Sequence, residues 1–238
     1  MNLSNAKLLR DAGACELVVD CLTGNTDDPL ATEFACWAVV GLASKDVENM
    51  RLLGEAGACA ALVKILKDNP FRDEIAEECT EAIANLCVCV SDDPPDEIVA
   101  INVSNQDRLA SENAVGVVME AIGYCSTTAV NENGSLAIRH LVCNHEPNKQ
   151  QLLAIDDWQE ELEQLASHAN EDTTREGRTH ARTVMRQLLD GGDVEFDPPR
   201  TLADFTSEFD ESSSDDDDDD EETGSDVWVS DDGADDAD

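Results

Sequence analysis

Apolar residues recur along this chain at helical spacing, and they do so in phrases that repeat. Leu8 to Leu22 reads LLRDAGACELVVDCL and Leu52 to Leu66 reads LLGEAGACAALVKIL, a match in length and order that marks a repeated structural unit. Four copies align on an Asn followed four residues later by Leu: Asn5 with Leu9, Asn49 with Leu53, Asn105 with Leu109, and Asn148 with Leu152. Eight residues after each Asn stand Gly13, Gly57, Asn113 and Asp156, residue types that tolerate left-handed backbone or cap a following helix. In each unit a short helix (AKLLRDA, ENMRLLGEA, DRLASE, KQQLLAI) leads into a second (CELVVDCL, CAALVKIL, VGVVMEAI, WQEELEQLA). A third follows after a polar loop (ATEFACWAVVGLAS, IAEECTEAIANLCV, VNENGSLAIRHLVC, THARTVMRQLLD).

The spacings between the markers are 44, 56 and 43 residues, a period that belongs to three-helix solenoid units. The surplus of the middle spacing falls at residues 89–101, where Pro94-Pro95 and a cluster of acids predict a surface loop. No segment alternates apolar and polar residues as a half-buried strand does. The expected fold is therefore all-α: a right-handed α-solenoid over residues 1–190, with repeats at about 5–46, 47–90, 102–146 and 147–190.

These residues resemble the armadillo repeat family, whose unit joins an Asn-Leu pair, an Ala-Gly-Ala turn and a third helix carrying Trp and, four residues on, Asn. The resemblance implies a concave groove lined by the third helices, in which Trp and Asn hold an extended peptide. Carried over by alignment, the Trp positions fall on Trp37, Glu81, Leu136 and Thr183, and the Asn positions on Gly41, Asn85, His140 and Gln187. Partner-binding residues are thus expected among Trp37, Glu81, Asn85, Leu136, His140 and Gln187. An Asn there offers donor and acceptor to a bound backbone, and a Trp packs aliphatic stems. A single Trp and a single Asn remain, in different repeats, which weakens a reading as a nuclear-import receptor gripping a lysine-rich signal; Glu81 favours a basic ligand. The bland readings are Trp37 packed between repeats and His140 as a solvated side chain.

Charge sharpens the picture of the partner. The net charge is −39, and residues 191–238 hold 21 acids against the single base Arg200, a net −20 that leaves −19 for the rest. Both parts repel nucleic acid and favour proteins with basic segments. Beyond Gly191-Gly192 the composition predicts a disordered acidic tail, which cannot bury enough apolar surface to offset the entropy of folding. Four of the nine aromatics lie in it: Phe196, Phe205, Phe209 and Trp228. Ser212, Ser213 and Ser214 each precede an acid by three residues, the context of an acid-directed kinase.

Other chemistry is thinly represented. The nine cysteines, an odd number spread through helical segments, read as reduced core residues. Cys87, Cys89, Cys143 and His145 lack the paired spacing of a metal site, and neither cofactor nor metal is expected. There is no Walker loop, G-x-S-x-G or H-E-x-x-H, so no enzyme is expected. With no long apolar run and no secretory leader, the protein is expected in the cytoplasm or nucleus, away from membranes. The first repeat has nothing before it to cover Leu8, Leu9 and Val18, which predicts self-association at that end. The reading that uses all these features is a protein-binding scaffold; the alternative is a chaperone-like factor, shielding a histone-type client or exchanging nucleotide on an ATPase chaperone.

Overall fold

Twelve helices follow one another in the computed structural model, which describes residues 3–24, 28–44, 46–88, 95–125, 127–167 and 173–189. They fall into four sets of three. The first is α1 (Leu3–Asp11), α2 (Ala14–Gly24) and α3 (Pro29–Ala43), and the second α4 (Val47–Ala56), α5 (Ala58–Asp68) and α6 (Asp73–Leu86). The third is α7 (Asp96–Ser111), α8 (Ala114–Tyr124) and α9 (Thr128–Val142), and the fourth α10 (Glu146–Leu153), α11 (Trp158–Ala166) and α12 (Arg175–Leu189). Each third helix packs on the next, α3 on α6, α6 on α9 and α9 on α12, so the units stack in chain order as a solenoid does. The proposed tail and its serines lie outside the described residues, and no strand occurs among those described.

Local chemistry sets the helix ends. Asp28 accepts from the amides of Leu30 and Ala31, with Pro29 at the first helical position of α3. Thr127 caps α9 through the Val130 amide. The junctions between first and second helices hold left-handed backbone at Gly13 (φ 81°), Gly57 (φ 102°) and Asn113 (φ 58°). In the fourth repeat the left-handed residue is Asp157 (φ 63°), not Asp156. The linker there runs through four residues, because Ala154 and Ile155 bond back onto the last turn of α10 and push the turn along by one. The marker spacing from Asn113 then becomes 44, as in the first interval.

A second correction concerns residues 89–101. Residues 96–101 are not loop but the opening turns of α7, which at 16 residues outruns the 10 of α4. Pro95 precedes the helix and Asp96 and Glu97 occupy its positive end, so the acids that suggested a loop are a helix start.

The repeated Asn ties the units together. Asn49 Nδ2 donates to Leu42 O at 2.9 Å, Asn105 Nδ2 to Leu86 O at 2.9 Å, and Asn148 Nδ2 to Leu141 O at 2.9 Å. Each reaches from a first helix to the closing turn of the preceding third helix, where carbonyls lack intrahelical partners. All three side chains are completely buried. Asn105 also donates to Met50 O at 3.1 Å, and it fits because residue 54 is glycine: a Cβ there would lie 1.9 Å from Asn105 Oδ1. Gln106 adds bonds to the carbonyls of His140, Leu141 and Cys143. The leucines paired with these Asn residues, Leu53, Leu109 and Leu152, are wholly buried.

Seven cysteines are free thiols, six of them buried in this core. Cys143 departs from the expectation of reduced cysteines, because it is disulfide-bonded. A single bond needs two neighbouring thiols, not the even count and regular spacing of a disulfide framework.

Candidate functional site

Stacking of α3, α6, α9 and α12 brings the aligned Trp-type positions into one register. Trp37 is 61 % exposed, so it is not packed between repeats. Glu81 and Asn85 on α6 are half-buried, and Leu136 on α9 leans onto the core. Gln187 on α12 is half-buried, its Oε1 enclosed without a partner. His140 is half-buried and tied into the stack through one ring nitrogen. Its Nδ1–H donates to Ala84 O at 2.8 Å, which assigns the tautomer and ties α9 to α6. Burial holds its pKa down at about 4, so the ring is neutral across the physiological range.

One turn before the Trp-type positions the face carries a feature that alignment of Trp and Asn alone missed. Glu33, Glu77 and Glu132 occupy the same register in repeats one to three, and Glu78 and Glu81 stand beside them on α6. Among the described residues none of the five has a cationic partner within salt-bridge distance. They act on each other instead. Desolvation, then Glu81, Glu77 and Glu33, push the Glu78 carboxyl up to about 7. Glu81 is raised by desolvation and by Glu77 and Glu132. These influences cross from α3 through α6 to α9, so the carboxylates form one field. Extending the sequence alignment by a single helical turn would have found Glu33, Glu77 and Glu132.

The sign changes at the last unit. Helix α12 holds Arg175, Arg178, Arg182 and Arg186 against Glu176. Arg182 donates to Ala166 O and Arg178 to Thr173 O, while the Arg139 guanidinium lies 3.2 Å from His180 Nδ1. Burial and then Arg139 lower the His180 pKa to about 4.

The raised Glu78 has a measurable consequence. Its folded pKa exceeds the unfolded value of about 4.5, so ionisation opposes folding, and the penalty grows as pH rises from about 4.5 to about 7. Glu78→Gln should therefore stabilise the protein above pH 7 and leave it unchanged near pH 4. Solvent screening at this half-buried position limits the gain to about 1 kcal/mol. Thermal unfolding at pH 4 and pH 8 checks this; an equal shift at both would show that the carboxylate is not strained.

No family model matches the chain, and no curated protein matches it. Among solved structures, it is similar to a designed armadillo repeat protein, YIII(Dq.V1)4CPAF, determined in complex with the peptide (KR)4. Identity is 24%, over 78% of this chain and 86% of that one, with a TM-score of 0.40. A likeness this distant carries no weight for function, and the repeat architecture stands on the helix order, the buried Asn ties and the stacking described above. No described helix is long and apolar enough to cross a membrane.

Proposed function

We propose that the protein is a binding scaffold of the cytoplasm or nucleus that holds an extended, lysine- or arginine-bearing segment of a partner protein along α3, α6 and α9. The observation that supports this most is the row Glu33, Glu77 and Glu132, without a cationic partner among the described residues and in register beside the exposed Trp37. Carboxylates crowded together and partly desolvated are relieved by an incoming cation, and an indole face takes the methylene stem or guanidinium of the same side chain. Binding would favour the ionised form of Glu78, so affinity for a basic segment should rise between pH 6 and pH 8 with release of a proton. Asn85 would supply a backbone contact, while His140 acts in holding α9 to α6. The role is one of binding, not catalysis.

The histone-type chaperone reading assigns basic clients to the acidic tail instead. Fluorescence anisotropy with a labelled Lys/Arg octapeptide separates the two in the full chain. Trp37→Ala should weaken binding about 5- to 10-fold if the third-helix face is the site, the loss of a partly desolvated cation–π contact plus packing. Unchanged affinity in Trp37→Ala would move the site off this face.

A further inference from the structure

The two ends of the solenoid each carry half of the interface that the chain uses three times internally. At the first end, Leu9 is 43 % exposed, although its counterparts Leu53, Leu109 and Leu152 are wholly buried under the preceding unit. Leu17 is 63 % exposed, whereas its counterparts Ala61 and Val117 are buried. Asn5, the counterpart of Asn49, Asn105 and Asn148, is exposed. Phe34 on α3 is also uncovered, at the position from which Glu78 faces the preceding repeat.

The other end is open in the complementary way. Leu189 is 53 % exposed, yet its counterparts Ala43, Cys87 and Val142 lie buried beneath the following unit. Leu188 stands where Leu42, Leu86 and Leu141 stand, the residues whose carbonyls accept from the buried Asn ladder. A cleft of about 430 Å³ between α11 and α12 is lined by Ala166, Met185 and Leu189, with Arg182, Arg186 and Glu163 at its rim. The charges lean in opposite directions at the two ends: Glu16 and Asp20 flank Leu17, and at the cleft Arg182 and Arg186 outnumber the one acid, Glu163.

We propose that this protein associates with a second copy head to tail, the α1–α3 face of one copy seated on the α11–α12 face of the next, continuing the stack. A second copy is the fitting occupant because the first-unit face has the residues of an internal repeat interface, and the chain's own terminal face presents the matching apolar cleft and opposite charge. Such a contact is heterologous and does not close on itself, so it grows beyond a dimer. It meets the peptide face only at Phe34, next to Glu33 on α3, and does not depend on that reading.

Sedimentation velocity of the full chain at physiological salt tests it, with two variants at side chains exposed enough to leave the fold intact, which circular dichroism confirms. Wild type should show a mass that rises with concentration past twice 25.7 kDa. Leu17→Glu and Leu189→Glu should each remain monomeric alone. Mixed in equal amounts they should form a dimer and nothing larger, since each retains the end the other has lost. If Leu189→Glu still dimerises while Leu17→Glu does not, two first-unit faces meet symmetrically and the proposal is wrong. A wild type that stays monomeric up to about a hundredfold range of concentration also overturns it.

Discussion

Asn105→Ala should lower the free energy of unfolding by about 2–4 kcal/mol, the largest effect expected of any single polar substitution here. Its amide donates to both Leu86 O and Met50 O in a site from which water is excluded. Removing the donor strands Leu86 O in the closing turn of α6, at about 1–3 kcal/mol of uncompensated desolvation, and takes from Met50 O the bond it accepts beside its intrahelical one. The vacated space adds a smaller packing loss. Asn49→Ala and Asn148→Ala should cost roughly half as much, because each donates to a single carbonyl. Guanidinium denaturation of the three variants gives the ranking. Because stacked repeats can open unit by unit, hydrogen exchange at α6 and α7 should be followed alongside. Should Asn105→Ala cost less than Asn49→Ala, the second bond to Met50 contributes nothing.

Reversing the charge ladder, with Glu77→Lys and Glu132→Lys together, should weaken binding of the Lys/Arg octapeptide by about 10- to 100-fold at 100 mM salt. Each reversal exchanges an attraction for a repulsion in a partly desolvated field, a change of about 1 kcal/mol per site. The loss should shrink at 500 mM salt, where the screening length falls to a few ångströms. Glu77→Gln with Glu132→Gln should give about half the effect in free energy, separating charge from shape. An acidic octapeptide should bind the reversed protein better than the native one. Should the double reversal leave the basic peptide's affinity untouched while removal of residues 191–238 abolishes it, the tail and not the third-helix face is the binding element.

Much of this molecule is legible in its sequence, and the reasons are local. The Asn-Leu pair, the turn residue eight positions on and the apolar stripe each reflect a requirement inside a single unit, so they recur where the unit recurs. The misplacements are equally physical. Asp156 and Asp157 are chemically identical, and only the length of the α10 linker decided which of them took left-handed backbone. The acids after Pro95 suit a loop or a helix start, and the docking of α7 against α4 and α5 selected the latter. The tie from His140 to the Ala84 carbonyl was not legible, because the two lie 56 residues apart in the chain.

A four-unit, three-helix solenoid follows from the residue pattern alone, because period, turn chemistry and helical spacing are short-range properties written into each copy. What each surface presents depended on how the units stack. Stacking aligned Glu33, Glu77 and Glu132 across three helices, turned the repeated Asn residues inward as ties, exposed Trp37, and left Leu9, Leu17 and Leu189 uncovered at the two ends. A side chain's environment is set by neighbours one repeat away in space and more than forty residues away in the chain.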